Sequence, residues 1–298
     1  MPLLCYSDRY VKPVLLILLC AFGGACQDFN QIVVDKAATG FVFTEGPAWS
    51  HDGYLILSDV PRNALFQLKP GQKAGSLRDN SNGAMGNTFD AQGRLYTCET
   101  HSRRVTRTDK KGKVEVLAEK YEGKRLNAPN DIVVRRDGQI YFTDPAFGSQ
   151  QDARELDFYG VYHLTPRGEL DVIAKPTGRP NGIALSPNGR VLYVTNSDER
   201  NIRAYDLDRG GAASNERVLV SRVEGIPDGL RVDEKGNLYV AADKIEVYTA
   251  EGKPLGSIAL SESPSNCAFG DEDLQSLYIT ARTSIYRVRL DVKGSVQY

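Results

Sequence analysis

Short apolar runs, each introduced by a polar or glycine-containing turn, recur along most of the chain. The six units of one turn and one strand-like run occupy residues 52–57, 92–96, 137–142, 188–194, 235–240 and 275–279. Five of the turns contain a glycine, at positions 53, 93, 138, 189 and 236, so that successive glycines lie 40, 45, 51 and 47 residues apart. A strand-rich repeat of this length is typical of radial arrays such as propellers.

Further strand-like runs flank each of these units. A short apolar run precedes every turn, a third run follows the strand, and in five units a fourth run follows the third. No stretch keeps a helical period for three turns, and the alternation favours antiparallel sheet. We therefore predict an all-β fold, a six-bladed β-propeller of four-stranded antiparallel blades. A sandwich or two small barrels would not explain six similar units.

The sixth unit is short, because only residues 294–298 remain after its third strand. We expect residues 31–36 to supply the missing outer strand. An N-terminal strand in that position would close the ring and remove an exposed sheet edge.

Composition and charge describe one soluble globular domain with a distinct leader. The 298 residues are 41% hydrophobic and 25% charged, with a formal charge of −1, so there is no basic surplus for nucleic acid. Residues 1–25 combine Arg9 and Lys12 with an apolar run over 14–22 and small residues, which is the pattern of an export signal. This run is too short to span a bilayer.

Two fates of the leader remain open. Cleavage before Cys26 would leave residues 26–298 as a single propeller domain, either free in the periplasm or lipid-anchored to a bacterial envelope through Cys26. The alternative is an uncleaved leader.

The cysteines indicate no redox or zinc chemistry. Cys98 and Cys267 stand alone inside strand-like runs, where a buried free thiol is expected. The chain contains no C-x-x-C motif, so a thiolate zinc site and dithiol chemistry are improbable.

Four stretches place an oxygen-bearing side chain beside a proline turn at the start of a blade. They are Thr-Glu-Gly-Pro at 44–47, Pro-Asn-Asp at 129–131, Pro-Asn-Gly at 180–182 and Pro-Asp-Gly at 227–229. The first strand of each blade lines a propeller's channel, so Glu45, Asn130, Asn181 and Asp228 should meet at one mouth. Two carboxylates and two amides suit a hard divalent cation, with water or substrate completing the coordination.

Ligand type favours Ca²⁺ over the other divalent ions. Mg²⁺ or Mn²⁺ could replace it, and Zn²⁺ is less suited, because His51, His101 and His163 form no H-x-x-x-H pair. The competing interpretation is that each stretch is an ordinary turn.

At this point the chain resembles the family of senescence marker protein (regucalcin), gluconolactonase and luciferin-regenerating enzyme, and its bacterial lactonase-type members in particular. The resemblance covers about residues 41–290. It is carried by Glu-Gly-Pro at 45–47, Arg-Leu-Asn-Ala-Pro-Asn-Asp at 125–131, Tyr-Phe-Thr-Asp-Pro at 141–145, Pro-Asn-Gly-Ile at 180–183 and Pro-Asp-Gly at 227–229.

The resemblance implies one divalent ion in the channel of a six-bladed propeller and hydrolysis of lactones or related esters. It implies Glu45, Asn130, Asn181 and Asp228 as the ligands, with Asp228 also acting as the base. One departure concerns blade two, where Met85-Gly86-Asn87 replaces the Asn-Gly-Leu of many relatives. The substrate is therefore not fixed by the resemblance.

Five further residues are candidates for substrate binding. Arg125 could fix a hydroxyl or carboxylate, or be a solvated loop arginine, and Asn127 is a second candidate in the same loop. Glu99 and His101 either face the pocket or form a satisfied polar pair. Asn266 begins blade six at the level of the metal ligands and could reach the site through water.

Two other functions stay open beside lactone opening. The same metal site could cleave a phosphoester or phosphofluoridate, or the propeller could bind a sugar acid or a partner around a structural ion. The chain lacks the G-x-S-x-G, Walker A and G-x-G-x-x-G signatures of serine hydrolases, nucleotide-binding enzymes and dinucleotide oxidoreductases. The expected ligand is a small lactone or sugar-acid ester.

Overall fold

The structure, a computed structural model, describes residues 27–296. The predicted export signal at 1–25 and Cys26 lie outside the described residues. Within 27–296, twenty-six strands run in chain order from β1 to β26, and no helix there is long and apolar enough to cross a membrane.

Six four-stranded antiparallel sheets form the blades of a propeller, as the repeat predicts. Blade one contains β2 (Thr44–Ser50), β3 (Tyr54–Asp59), β4 (Ala64–Leu68) and β5 (Gly75–Asp79). Blade two contains β6 (Ala84–Phe89), β7 (Leu95–Glu99), β8 (Arg104–Thr108) and β9 (Val114–Ala118). Blade three contains β12 (Ile132–Val134), β13 (Ile140–Asp144), β14 (Gly160–Leu164) and β15 (Leu170–Ala174).

The second half of the chain repeats this arrangement. Blade four contains β16 (Pro180–Leu185), β17 (Val191–Asn196), β18 (Asn201–Leu207) and β19 (Ala213–Val220). Blade five contains β20 (Leu230–Val232), β21 (Leu238–Ala241), β22 (Ile245–Tyr248) and β23 (Pro254–Ile258). Blade six contains β24 (Pro264–Gly270), β25 (Ser276–Ala281) and β26 (Ser284–Arg289).

The fourth strand of blade six is β1 (Val34–Thr39), which pairs antiparallel with β26. The predicted closure by an N-terminal strand is confirmed, although the strand begins three residues later than expected. Phe29–Gln31 forms a 3-10 turn instead, and the Phe29 ring packs where a Cβ on Gly256 would stand, 2.5 Å away.

Burial distinguishes the inner strands from the outer ones. Every residue of β2 and β24 is buried, whereas β5 and β23 are largely exposed. The core therefore lies between neighbouring blades. For example, the Trp49 ring of blade one stacks on Tyr278 of blade six with centroids 5.5 Å apart.

Two cysteines and one histidine are buried in the core. Cys98 and Cys267 are free and fully buried, as expected, and burial raises the pKa of the Cys267 thiol to about 12. His163 stacks on Tyr141 at 5.0 Å and lies 2.6 Å from the Gln139 side chain through its Nε2 atom.

Two small elements do not belong to the four-stranded blades. A hairpin of β10 (Lys120–Tyr121) and β11 (Lys124–Arg125) follows blade two, and a 3-10 turn, Gly148–Gln150, lies in the loop after β13. The 3-10 turn lines the cavity described below.

Candidate metal centre and active site

The start of each inner strand contributes one residue to a ring around the channel. In blade order these ring residues are Glu45, Met85, Asn130, Asn181, Asp228 and Ser265. Backbone hydrogen bonds join neighbouring positions: Gly86 N donates to Asn130 O (2.7 Å), Gly182 N to Asp228 O (3.2 Å) and Gly229 N to Ser265 O (2.9 Å). The four predicted ligands therefore lie at one level, as the repeat register requires.

Glycine follows the ring residue where the strands approach most closely. Gly46 has φ +49°, and a Cβ there would stand 1.8 Å from the Met85 carbonyl oxygen. A Cβ on Gly86 would stand 2.6 Å from Asn130 O. Only glycine permits this approach of backbone to backbone.

Hydroxyl groups from the second strands hold the ring carbonyls. Ser58 donates to Met85 O (2.7 Å), Thr143 to Asn181 O (2.6 Å) and Thr195 to Asp228 O (2.7 Å). Each hydroxyl belongs to the blade before the residue it holds. These supports were not predicted from the sequence, although each hydroxyl belongs to a pair of polar residues that ends an otherwise apolar strand.

Among residues 27–296, neither ring carboxylate forms a salt bridge, because the nearby Arg231 pairs with Asp131. Burial raises the pKa of Glu45 to about 7 and Asp131 adds to the effect, although Gly46 N (2.8 Å) and Asn266 Nδ2 (3.3 Å) donate to its Oε2 atom. Burial and then the charge of Glu45 raise the pKa of Asp228 well above its usual range. Glu45 is 5% exposed, whereas Asp228 is partly exposed.

The two ring amides supply neutral oxygens. Asn181 donates from Nδ2 to Ser197 Oγ (3.0 Å), and its buried Oδ1 atom has no hydrogen-bond partner among residues 27–296. Asn130 is 8% exposed and faces the cavity described below. An unpaired buried acceptor beside two buried carboxylates is the donor set that a hard cation satisfies.

No group of three or more His, Cys, Asp or Glu side chains that could hold a metal occurs among the described residues. The ring does not require such a group, because only two of its four oxygen donors are carboxylates.

An ion pair lies beneath the ring, inside the channel. Asp131 is 1% exposed, and its Oδ2 atom accepts from Arg231 Nη1 (3.3 Å) and Ile183 N (3.2 Å). Arg231 also donates to Leu230 O at 2.7 Å. This pair joins blades three, four and five directly below the candidate ligands.

A cavity of about 580 Å³ opens above the ring. Its walls carry residues from blades one to three and from the loop after β13. The residues that matter below are Val60, Met85, His101, Asn127, Asn130 and Phe147.

Asn127 lies where a substrate-binding residue is expected. Its Nδ2 atom donates to Asp144 O (3.1 Å) and Phe158 O (2.9 Å), and its buried Oδ1 atom has no partner within the described chain. Asp144 accepts from the backbone N of Asn127 and of Ala128, at 2.7 Å each. Burial nevertheless raises the pKa of Asp144 to about 7.

His101 also lines the cavity and is exposed. Its ring packs where a Cβ on Gly83 would stand, 2.4 Å away, and Gly83 has φ +69°. The backbone of Gly83 thus makes room for this side chain.

Three of the predicted binding residues do not face the cavity. Glu99 is fully buried between blades, where it pairs with Arg104 (2.7 Å) and Arg78 (3.7 Å), so the expectations that it contacts substrate or pairs with His101 are wrong. Asn266 hydrogen-bonds Glu45 directly and so orients a candidate ligand instead of reaching the site through water. Arg125 is exposed and donates to Ser102 O at 2.9 Å.

Arg103, which the sequence analysis did not single out, replaces Arg125 at the cavity wall. It donates to Leu126 O (2.6 Å) and Ala153 O (3.1 Å), so it links the loop that carries Asn127 to the loop after β13. Its backbone φ of +57° has no signal in the sequence.

The amino-acid sequence is similar to those of known proteins. The profile of the SMP-30/Gluconolactonase/LRE-like region matches residues 43–283. A gluconolactonase of Zymomonas mobilis is 32% identical, with 88% of this chain and 82% of the relative covered.

Solved structures agree on the fold. The structure of a gluconolactonase from Xanthomonas campestris is 34% identical with a TM-score of 0.82, covering 88% of this chain and 90% of that one. A calcium-binding regucalcin from Agrobacterium tumefaciens, 17% identical with a TM-score of 0.74, covers 87% and 93% and is similar in fold.

Proposed function

The chain belongs to the SMP-30/gluconolactonase/LRE-like family, and we propose that it is a lactonase whose ring holds a divalent cation, most suitably Ca²⁺. The observation that carries the proposal is the ring itself. Two carboxylates with raised pKa values and the unpaired Asn181 Oδ1 atom belong to the same ring as Met85 and Asn130, which line the cavity.

The donor set fits a hard cation. Glu45 and Asp228 would offset a divalent charge, Asn130 and Asn181 would add neutral oxygens, and ring positions 85 and 265 are not needed as ligands. Mg²⁺ or Mn²⁺ could take the same oxygens. When bound, the cation would act as a Lewis acid on the lactone carbonyl.

Asp228 is suited to act as the general base. It is the ring carboxylate that is partly exposed, so water can reach it, whereas Glu45 is 5% exposed and accepts hydrogen bonds from Gly46 N and Asn266 Nδ2. The water oxygen adds to the carbonyl carbon while Asp228 takes one of its protons. The ring C–O bond then breaks, and the same proton passes to the leaving alkoxide, which yields a hydroxy acid.

Asn127 and His101 are suited to position the substrate. The Asn127 Oδ1 atom can accept a hydrogen bond from a substrate hydroxyl, since both of its amide donations are made within the protein. The His101 ring stands at the wall with its edge open to the cavity.

Export of the chain is a separate proposal. It is supported only by the sequence pattern of residues 1–25.

The test is hydrolysis of glucono-δ-lactone and of simple γ- and δ-lactones by the 26–298 chain, followed at constant pH. EDTA should abolish the activity and Ca²⁺ should restore it. A phosphofluoridate and a phosphotriester belong in the same panel, since turnover of these compounds alone would favour the phosphoester alternative. Calcium binding without any turnover would favour a binding propeller.

A further inference from the structure

We propose that the lactone opened here carries an apolar substituent, which packs against Met85, Val60 and Phe147. The inference rests on the proposed function and narrows its substrate class. It starts from ring position 85, where the residue type differs from those at the other five ring positions.

Blade two breaks the oxygen pattern of the ring. The other five positions carry a carboxylate, an amide or a hydroxyl, whereas position 85 carries a thioether that lines the cavity. The backbone of Met85 is fixed, because its carbonyl accepts from Ser58 Oγ (2.7 Å) and Asn87 Nδ2 (3.0 Å) and abuts Gly46. The side chain is therefore held beside the candidate ligands, within reach of any group attached to a bound lactone.

Two more apolar side chains extend the same wall. Val60 and Phe147 are partly buried and line the cavity with Met85. The Arg179 guanidinium lies 4.7 Å from the centre of the Phe147 ring and is itself paired with Asp198, so the ring is held in place. Such a wall gains free energy by covering hydrocarbon and gains none from hydroxyl groups.

Several polar groups of the cavity are committed to the protein. Thr100 Oγ1 donates to Pro129 O (2.6 Å), Arg103 donates to backbone carbonyls, and the Asn127 amide makes its two donations within the protein. A polyhydroxylated ring needs a partner for every hydroxyl that loses water, and a missing partner is costly. The polar groups left for a ligand are those of His101, Asn130, Ser149 and Gln150 and the Asn127 acceptor, whereas Met85, Val60 and Phe147 offer no partner to a hydroxyl group.

Two exposed apolar side chains lie in segments that precede inner strands. Val42 and Ile226 are 49% and 57% exposed, in the segments that lead into the inner strands of blades one and five. They therefore lie on the same face of the propeller as the ring.

The experiment compares three δ-lactones that share one ring size. These are δ-valerolactone without a substituent, δ-nonalactone with a butyl chain, and glucono-δ-lactone with hydroxyl groups, each corrected for spontaneous opening. A buried methylene contributes about fourfold, so covering half of the butyl chain predicts at least about a tenfold higher kcat/KM for δ-nonalactone than for δ-valerolactone. Glucono-δ-lactone should be the poorest of the three.

Variants test whether the preference for δ-nonalactone arises at the apolar wall of the cavity. Met85→Asn should remove most of the preference for δ-nonalactone, and Met85→Leu should keep it, because leucine retains the apolar volume. Val218→Asn serves as the matched control, since Val218 is 49% exposed on the outer strand β19, away from the cavity. It should leave the ratio of the three rates unchanged.

A preference for glucono-δ-lactone that Met85→Asn does not alter would overturn the inference and leave the proposed function intact. If no lactone is opened, the proposed function fails, and the inference is then decided by calorimetric binding of the same lactones. Binding of δ-nonalactone about tenfold tighter than δ-valerolactone, lost in Met85→Asn, would support it, and equal binding would refute it.

Discussion

Glu262 fastens the N-terminal strand to the rest of blade six, and its charge should stabilise the closed ring. The carboxylate accepts from Ser284 Oγ (2.6 Å), Tyr286 OH (2.8 Å), Thr283 N (2.8 Å) and the Lys36 ammonium group of β1 (3.2 Å). Burial opposes ionisation, but these donors together lower the pKa of Glu262 from 4.5 to about 2.

The magnitude follows from that pKa. The difference between 4.5 and 2 corresponds to about 3 kcal/mol. The side chain is 19% exposed, so solvent screening reduces our expectation to about 1–2 kcal/mol. Because the folded pKa is the lower one, this stabilisation is fully present above pH 4.5 and is lost as the pH falls through 2.

The perturbation is Glu262→Gln, which keeps the shape and removes the charge. At pH 7 the melting temperature should fall by about 4 °C, given about 2–4 °C per kcal/mol for a domain of this size. The gap in urea-unfolding free energy between wild type and variant should shrink to less than half by pH 3. Glu115→Gln, at a 54% exposed pair with Arg107, should change little. A gap of the same size at both pH values would refute the reasoning.

Three further predictions concern the ring and the cavity. Ca²⁺ at 100 times its Kd should stabilise the wild type by about 2.7 kcal/mol in thermal melts. The Asn181→Ala variant should lose most of this stabilisation. A variant that is stabilised as much as the wild type would exclude Asn181 as a ligand. Gly46→Ala should cost several kcal/mol, about 3 or more, because its Cβ would meet Met85 O at 1.8 Å. Gly53→Ala, also at positive φ but in open space, should cost about 1 kcal/mol, and equal costs measured in urea would contradict the steric argument. Arg103→Ala should raise KM about tenfold with little change in kcat, because the two loops it links lose their positions; an unchanged KM would exclude that role.

The internal repeat allowed the fold to be predicted from the sequence alone. Strand alternation recurs in six units and a turn glycine in five of them, so the blades and the closing strand follow from local patterns that agree. The start of β1 was misplaced by three residues, because Ile32 and Val33 extend the apolar run that includes Val34 and nothing local marks the 3-10 turn at Phe29–Gln31.

The ring was predictable for the same reason, and the cavity wall was not. Residues at equivalent points of a repeat lie at the same level of the channel. The sequence alone therefore predicted that Glu45 and Asp228 lie at one level. Side chains of loops follow no such register. Glu99 pairs with arginines of outer strands, and Arg103 takes the place expected for Arg125, because long-range packing decides both.

The measurement that tests the account most directly is a titration of Ca²⁺ into the EDTA-stripped chain, with bound metal and lactone turnover followed on the same sample. The account predicts that activity rises from background in proportion to bound metal and saturates at about one ion per chain. Asp228→Ala should remain inactive at every Ca²⁺ concentration. Full activity in the stripped protein, or in Asp228→Ala, would contradict the claim that this ring is a metal-dependent lactonase site.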